Sequence, residues 1–228
     1  MPEMYAALIR HGDYQQLPKV PSAYQPFGLN EKGRKQALSA ASELIELAAD
    51  NACQLVDEID CSVLQRAWQT ASIIQENGSM FEKVTTFEAL CERCVGSVAN
   101  LTVSQIEKIL AEDPRYNTPP PGWKSQSDYC LPFPGAESLI MAGQRVADHL
   151  KKRMQQLAER ENKNLIKVFV GHGAAFRHAA YHLGALDFES IASLSMYHGK
   201  PVLLKYQADQ NWLHCGGNWK KRKAEALD

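Results

Sequence analysis

LIKVFVGHG, at residues 165–173, is the stretch of this chain that decides its fold. Its first part, Leu165–Val170, is an almost continuous apolar run, and a helical pattern over Ala174–Leu183 follows it. A short apolar run bounded by turn residues is typical of a strand buried on both faces. The stretch therefore predicts a central strand that ends at a histidine and leads into a helix.

The same alternation of strand and helix extends through most of the chain. Asn30 is a suitable N-cap for a helix whose apolar residues recur up to Ala48. Further helices are predicted at Leu64–Gln75 and Glu137–Glu161. Further strands are predicted at Met4–Arg10, Val56–Val63, Lys83–Leu90 and Pro201–Tyr206. Strands separated by helices indicate an α/β fold with a largely parallel sheet covered on both faces.

One long segment shows no clear periodicity. Residues 112–135 are rich in proline and aromatic residues. Because a long loop inside a compact domain usually has a functional role, this segment is predicted to be a small cap or substrate loop. A chain of 228 residues can bury one good core, so residues 1–228 are expected to form a single domain.

Composition excludes several functional classes. A formal net charge of -1 gives no general attraction to nucleic acid or to an anionic membrane. The basic run Lys220–Lys223 is interpreted as a solvated tail, and no apolar stretch has the roughly 20 residues that a membrane span needs. The beginning of the chain lacks the pattern of a signal peptide, and six cysteines are too sparse for a disulfide scaffold. A cytoplasmic protein with reduced thiols is expected.

Polar residues that suit phosphate chemistry follow four of the predicted strands. Because carboxyl ends of parallel strands meet at one edge of a sheet, these side chains are expected to converge. Guanidinium groups bind phosphate oxygens with paired donors, and a neutral imidazole can attack phosphorus. Each feature alone has a structural explanation, whereas four together favour a site. They are Arg10-His11, Arg66, Glu92-Arg93 and His172.

Five motifs built on these residues resemble a known family. In chain order they are LIRHGDY (8–14), SVLQRAWQTA (62–71), CERCVGS (91–97), FPGAES (133–138) and FVGHGAAFR (169–177). They resemble the histidine phosphatase (phosphoglycerate mutase-like) superfamily, in the family's order and over nearly the whole chain. The resemblance implies a three-layer α/β/α sandwich with no metal and no organic cofactor.

The resemblance also implies a role for each motif residue. His11 is implied to be the nucleophile that becomes phosphohistidine. Arg10, Arg66 and His172 are implied to bind the transferred phosphoryl group. Glu92 is implied to be the general acid and base, so that the catalytic set is His11, Glu92 and His172.

The sequence departs from the family pattern near its first histidine. Tyr14 and Leu17 stand where many members have phosphate-contacting Ser or Thr and Asn. One phosphate contact is therefore in doubt, and glutamines are candidates to replace it, namely Gln15, Gln16 and Gln25. The candidate substrate contacts are Tyr14, Gln15, Gln25 and Arg93.

The most favoured function is a metal-independent phosphomonoesterase acting on a small phosphorylated metabolite. Alanine at position 174, an aromatic cap and little evident positive charge argue against a phosphoglycerate mutase, which stays as an alternative. A catalytically inactive phospho-ligand binder is a second alternative. A homodimer is left open.

Three other patterns have both a functional and a structural interpretation. Cys91-x-x-Cys94 has the spacing of a redox or zinc pair, but nothing in the sequence completes such a site. His178 and His182 are four residues apart on a helix, where a satisfied helix face is favoured over a metal pair. The turn from His198 to Lys200 either reaches the substrate or is a plain turn.

Overall fold

The central sheet is built around β1 (Met4–Arg10) and β5 (Leu165–Gly171), which run parallel with Leu8 beside Phe169. The computed structural model describes residues 2–21, 24–208 and 211–222. The other strands of this sheet are β2 (Gln54–Leu55), β3 (Glu58–Ser62), β4 (Lys83–Phe87), β7 (Pro201–Lys205) and β8 (Leu213–Gly216).

The strand order along this sheet is β4-β3-β5-β1-β7-β8, with the short β2 also paired to β5. The pairs β4–β3, β3–β5 and β5–β1 are parallel, whereas β1–β7 and β7–β8 are antiparallel. The prediction of a mostly parallel sheet is therefore confirmed. β1, β3, β4 and β5 all end at the same edge, where ligands bind in folds of this kind.

Helices with well-formed N-termini cover the sheet. The Asn30 side chain accepts a hydrogen bond from Gly33 N (2.8 Å), and the Ser138 hydroxyl accepts one from Met141 N (3.1 Å). Such caps satisfy amides that have no partner inside the helix. The helices are α1 (Glu31–Asp50), α2 (Gln65–Asn77), α3 (Val103–Glu112), α4 (Leu139–Arg160), α5 (Gly173–His182) and α6 (Phe188–Ile191).

Alternate residues of β1 point to opposite faces of the sheet and so separate two cores. Ala6 and Leu8 belong to one core, which includes buried residues of α4 and α5. Ala7 and Ile9 belong to the other, which includes buried residues of α1 and α2. This arrangement confirms the three-layer α/β/α sandwich.

Some local predictions were wrong. The strand predicted over Lys83–Leu90 stops at Phe87, and residues 88–90 form a 3₁₀ turn instead. The helix α3 was not predicted, although a Thr102 capping box begins it. Lys220 and Lys221 are not in a tail, because they pair with β6 (Leu194–Met196) as part of β9 (Trp219–Lys221). Lys223 lies outside the described residues.

The segment 112–135 lies over a small apolar cluster of its own. Trp123, in a 3₁₀ turn, and Leu131 pack there with Ile106 and Leu110 of α3. Trp123 is almost fully buried, so this segment is held by packing at one point. Among the described residues, no helix is long and apolar enough to cross a membrane.

A buried ionic network ties α4 to the sheet away from these strand ends. Lys167 of β5 contacts Asp60 of β3 at 2.7 Å, and Arg153 of α4 reaches the same carboxylate at 2.7 Å. Burial raises the pKa of Asp60, but the hydrogen bond from His149 and the charge of Lys167 together hold that pKa at about 2. Lys167, the polar residue inside the LIKVFVGHG run, is therefore buried in ion pairs and not exposed to solvent.

Candidate active site

The ends of β1, β3 and β5 bring polar residues together at one edge of the sheet. His11 follows β1, Arg66 lies in the first turn of α2 after β3, and His172 follows β5. The rings of His11 and His172 have centroids 5.0 Å apart, and Arg66 lies within hydrogen-bond distance of both. The convergence expected from the strand order is present in the structure.

The hydrogen bonds of His11 define which ring nitrogen carries the lone pair. Nδ1 lies 2.7 Å from the carbonyl oxygen of Gly12, so Nδ1 is the donor. Nε2 is then unprotonated and accepts a hydrogen bond from Arg66 Nε at 3.2 Å. Burial, followed by the positive charge of Arg66, holds the pKa of His11 well below its ordinary value. The ring is therefore neutral at pH 7, with the lone pair of Nε2 directed at Arg66.

His172 has the opposite tautomer. Its Nδ1 accepts from Arg66 Nη2 at 3.3 Å, and its Nε2 donates to the Ser62 hydroxyl at 2.9 Å. That hydroxyl in turn donates to the sulfur of Cys91 at 3.4 Å. Burial and the nearby arginines hold the pKa of His172 well below its ordinary value as well. Arg66, which can only donate, thereby fixes the tautomer of the second histidine, and Ser62 helps to hold its orientation.

Arg66 occupies the centre of this arrangement. Its side chain is fully buried, and Nη1 donates to the Gln25 carbonyl oxygen at 3.0 Å. Its guanidinium carbon lies 4.7 Å from the centroid of the Tyr14 ring. A guanidinium held on several sides is a rigid paired donor, which suits phosphate oxygens.

Glu92 is held at the N-terminus of α5. Oε1 accepts from the backbone nitrogens of Arg93 (2.9 Å) and Ala175 (3.0 Å), and Oε2 accepts from Ala174 N (3.2 Å). The carboxylate is nearly buried but borders the same cavity as Arg10. It is therefore fixed in position within reach of a group that binds near the strand ends.

The loop after His11 is packed directly against the first turn of α1. A Cβ atom added at Gly33 would lie 1.9 Å from the carbonyl oxygen of Asp13, so this contact requires glycine. Gly12 N also donates to Thr70 Oγ1 at 3.0 Å, which links the loop to α2. These contacts fix the position of the His11 ring.

A half-open cavity is bordered by Arg10 and Glu92. Its described lining includes five cationic side chains and one carboxylate: Arg10, Arg93, Lys124, Arg177, Arg222 and Glu92. The expectation of little positive charge was wrong, because Lys124 comes from the segment 112–135 and Arg222 arrives from β9. Positive charge at the site therefore does not distinguish a phosphatase from a mutase.

The four candidate substrate contacts occupy different environments. Tyr14 is buried with its ring edge-on to His11, at a centroid distance of 5.3 Å, and Arg93 lines the cavity. Gln15 is exposed and is not part of the described cavity lining. The Gln25 amide is used within its own loop, accepting from Leu17 N (2.8 Å) and donating to the Pro21 carbonyl (3.0 Å).

His198 has a closer relation to the site than the sequence indicated. Its Nδ1 donates to the carbonyl oxygen of His11 at 2.6 Å, and the two rings are 5.3 Å apart. Burial and the charge of Arg10 lower the pKa of His198 to about 4. Lys200, by contrast, pairs with Glu43 on α1. The turn at 198–200 thus supports the His11 backbone.

The two members of the Cys91/Cys94 pair contact different groups, and so do the two members of the His178/His182 pair. Ser62 donates to the Cys91 sulfur, whereas Cys94 accepts from Gly96 N at 3.3 Å. His178 contacts Ser127 and its own helix, whereas His182 donates to the Ile140 carbonyl at 3.1 Å. Within the described part of the chain, no three His, Cys, Asp or Glu side chains form a group that could hold a metal ion.

Comparisons with known proteins agree with this geometry. Residues 6–218 match the sequence model of the histidine phosphatase superfamily (branch 1). The 2,3-bisphosphoglycerate-dependent phosphoglycerate mutase of Bartonella henselae is 29% identical over 210 residues, covering 91% of this chain and 94% of the mutase. The enzyme of the same description from Parvibaculum lavamentivorans is 27% identical over 205 residues, covering 89% of each chain.

Solved structures with the same fold include phosphatases. A mycobacterial glucosyl-3-phosphoglycerate phosphatase superposes with a TM-score of 0.68 at 21% identity, covering 96% of this chain and 98% of that one. The alpha-ribazole phosphatase of Shigella flexneri gives 0.67 at 19% identity, covering 94% and 96%. With the match over residues 6–218, the chain belongs to the histidine phosphatase superfamily.

Proposed function

We propose that this protein is a phosphomonoesterase that hydrolyses a small phosphorylated metabolite through a phosphohistidine at His11. The observation that carries the proposal is the hydrogen-bonding of His11. Nδ1 of His11 donates to the Gly12 carbonyl oxygen, so the lone pair is on Nε2, where it accepts a hydrogen bond from Arg66 Nε. A neutral nucleophile held next to a buried cation is the arrangement that attack on a phosphate dianion needs.

In the first step, Nε2 of His11 attacks phosphorus. A P–N bond forms and the P–O bond to the leaving alcohol breaks. Arg10 and Arg66 balance the charge on the phosphoryl oxygens, and His172 acts through Arg66, whose guanidinium it orients by accepting from Nη2. In the second step, water attacks phosphorus, the P–N bond breaks, and inorganic phosphate leaves with Nε2 free again.

Glu92 moves the protons of both steps. It gives a proton to the alkoxide as the ester bond breaks, and it takes one from water during hydrolysis of the phosphohistidine. Its three backbone hydrogen bonds hold the carboxyl group at the wall of the cavity, where a leaving oxygen would lie. With two arginines supplying positive charge, the reaction proceeds without a metal.

The segment 112–135 acts as a cap over this site in our proposal, since Lys124 and Ser125 already line the cavity. The six cysteines are free thiols, which supports a reducing, cytoplasmic location.

Rapid quench with ³²P-labelled p-nitrophenyl phosphate tests the proposal. A phosphohistidine is labile in acid and stable in base, so the label on the protein should survive base and be lost in acid. His11→Ala should remove the label, whereas the matched variant His214→Ala, at an exposed position on β8, should keep it. Label that resists acid, or that persists in His11→Ala, would refute the assignment.

A mutase is the second candidate, and it is supported by the sequence relatives and by the cationic cavity. Incubation with 3-phosphoglycerate and a trace of 2,3-bisphosphoglycerate separates the two. A phosphatase releases inorganic phosphate, whereas a mutase forms 2-phosphoglycerate with little release. An inactive binder would give neither product and no labelled histidine.

A further inference from the structure

Glu92 lies on a stretch of chain that has no regular secondary structure of its own. A 3₁₀ turn at residues 88–90 ends just before it, and residues 91–94 belong to no helix or strand. Three backbone amides orient the Glu92 carboxylate, but they do not hold the main chain on both sides of it. Since buried backbone groups need hydrogen-bond partners, side chains have to supply them here.

Arg145 of α4 binds this stretch on the side that precedes Glu92. Its Nη1 lies 3.0 Å from the carbonyl oxygen of Ala89, 3.2 Å from that of Cys91 and 3.3 Å from that of Glu88. The Cys91 carbonyl belongs to the peptide group that joins Cys91 to Glu92. One guanidinium nitrogen therefore holds the carbonyl groups of the turn and the last peptide group before Glu92.

Glu137 binds the same stretch on the side that follows Glu92. Its Oε2 accepts from Cys94 N at 3.1 Å, and its own backbone nitrogen donates to the Cys94 carbonyl oxygen at 2.8 Å. The Glu137 carboxylate also accepts from Arg145, from Nε at 2.9 Å and from Nη2 at 2.8 Å. The two side chains thus form one bidentate ion pair that holds the main chain before and after Glu92.

This ion pair is largely shielded from water. The side chains of Arg145 and Glu137 are 27% and 20% exposed. Burial alone would lower the pKa of Arg145, but the hydrogen bonds and charge of Glu137 raise that pKa above its ordinary value, so the guanidinium stays charged. Neither side chain belongs to the described lining of the cavity, so an effect of the pair on the reaction has to pass through Glu92.

We propose that Arg145 and Glu137 are positioning residues for the general acid, and that their ion pair sets where the Glu92 carboxyl group lies relative to the leaving oxygen. This inference rests on the proposed function, which assigns the acid role to Glu92. Proton transfer requires hydrogen-bond distance between donor and acceptor, and a displacement of about 1 Å can reduce a rate about 10²-fold. The pair thus controls the proton transfer without contacting the substrate.

Arg145→Lys tests this role, because lysine keeps the charge but cannot form the bidentate pair. Single-turnover phosphorylation of His11 is measured with an alkyl phosphate, whose leaving group needs a proton, and with p-nitrophenyl phosphate, whose leaving group does not. The variant should slow the first substrate about 10- to 10²-fold and the second by less than about threefold. Equal slowing of the two substrates would show that Arg145 only stabilises the fold, and would overturn the proposal.

Arg153→Lys is the matched control, because it makes the same change about two turns further along α4. Arg153 is 24% exposed, close to the value for Arg145, and it is paired with the carboxylates of Glu58 and Asp60. The control should leave the ratio of the two phosphorylation rates unchanged. A change in that ratio as large as the one from Arg145→Lys would also overturn the proposal.

A second single variant and a double variant complete the test. Glu137→Gln breaks the bidentate pair but keeps an acceptor for Cys94 N, so it should shift the rate ratio in the same direction. It carries the test if circular dichroism shows that Arg145→Lys is unfolded. In a Glu92→Gln protein, Arg145→Lys should slow the alkyl phosphate no more than p-nitrophenyl phosphate, since residues that act as a unit are not additive. A full additional loss for the alkyl phosphate would refute action through Glu92.

Failure of the positioning role and failure of the proposed function give different results. If no acid-labile label forms on the wild-type protein, or if Glu92→Gln slows both substrates equally, the proposed function is wrong and the positioning role is refuted with it. If Glu92→Gln slows the alkyl phosphate selectively but Arg145→Lys and Glu137→Gln do not, only the positioning role is wrong.

Discussion

The buried His178 makes the stability of this protein sensitive to mild acid. The side chain is almost fully buried, its Nδ1 donates to the Ala174 carbonyl at 2.8 Å, and its Nε2 accepts from Ser127 Oγ at 3.1 Å. Burial lowers the pKa of His178 from 6.5 to about 4. The unfolded chain therefore binds a proton at this residue between pH 6.5 and 4, whereas the folded protein does not. Stability contributed by this histidine is complete above pH 6.5 and is lost as the pH falls towards 4.

The size of the effect follows from the two pKa values. At pH 4.5 the shift corresponds to a loss of about 2–3 kcal/mol in the free energy of unfolding, at 1.4 kcal/mol per pH unit. His178→Asn keeps a donor for Ala174 but loses the partner of Ser127, which costs about 1–3 kcal/mol at pH 7. Since asparagine does not titrate, the variant should approach or exceed the wild-type stability at pH 4.5.

Urea unfolding followed by circular dichroism at pH 7 and pH 4.5 measures both quantities. The difference between wild type and His178→Asn should shrink by about 2–3 kcal/mol on acidification. His214→Asn, on the exposed face of β8, should leave the wild-type pH dependence unchanged. A constant difference between wild type and His178→Asn at the two pH values would show that His178 takes up its proton in the folded state.

Three further results are expected. Glu92→Gln should slow phosphorylation by an alkyl phosphate about 10²- to 10⁴-fold and by p-nitrophenyl phosphate far less, measured as single-turnover bursts; equal slowing would refute the acid role. Because Arg10 and Arg66 are proposed to supply the positive charge, EDTA should not reduce hydrolysis and vanadate should inhibit it; loss of activity restored by one metal would contradict this. Tyr14→Phe should raise the free energy of unfolding by about 1 kcal/mol, since the buried hydroxyl has no hydrogen-bond partner among the described residues. If that hydroxyl contacts phosphate, the same change should lower kcat/KM. Unchanged kcat/KM would remove Tyr14 from the substrate contacts.

The sequence was most informative where one physical rule acts alone. Met4–Arg10 was predicted at its observed bounds, because an apolar run that ends in polar residues has few other solutions. The meeting of His11, Arg66 and His172 followed from parallel strands that share one carboxyl edge. Both conclusions need only the order of elements along the chain and not their detailed packing.

Two arginines that line the cavity, Arg177 and Arg222, are placed there by contacts that no local pattern encodes. Arg222 is brought there by pairing between β6 and β9, which have three residues each and carry no usable periodicity. Arg177 had a signal, since it lies four residues after Gly173 and so shares a face of α5 with it. Gln25 was assigned to the substrate on polarity alone, although its amide completes a turn.

The pair of strand-end histidines and the cavity are built by different parts of the chain, and this division separates the proposed reaction from the proposed recognition. Strand ends that carry His11 and Arg66 are locked by backbone contacts such as that between Gly33 and Asp13, which tolerate no added atom. Residues 124–125 lie in the segment 112–135 instead, residue 195 lies in the three-residue strand β6, and residue 222 follows β9. Substitutions at these few positions can therefore change which molecule binds. The groups around His11 stay unchanged.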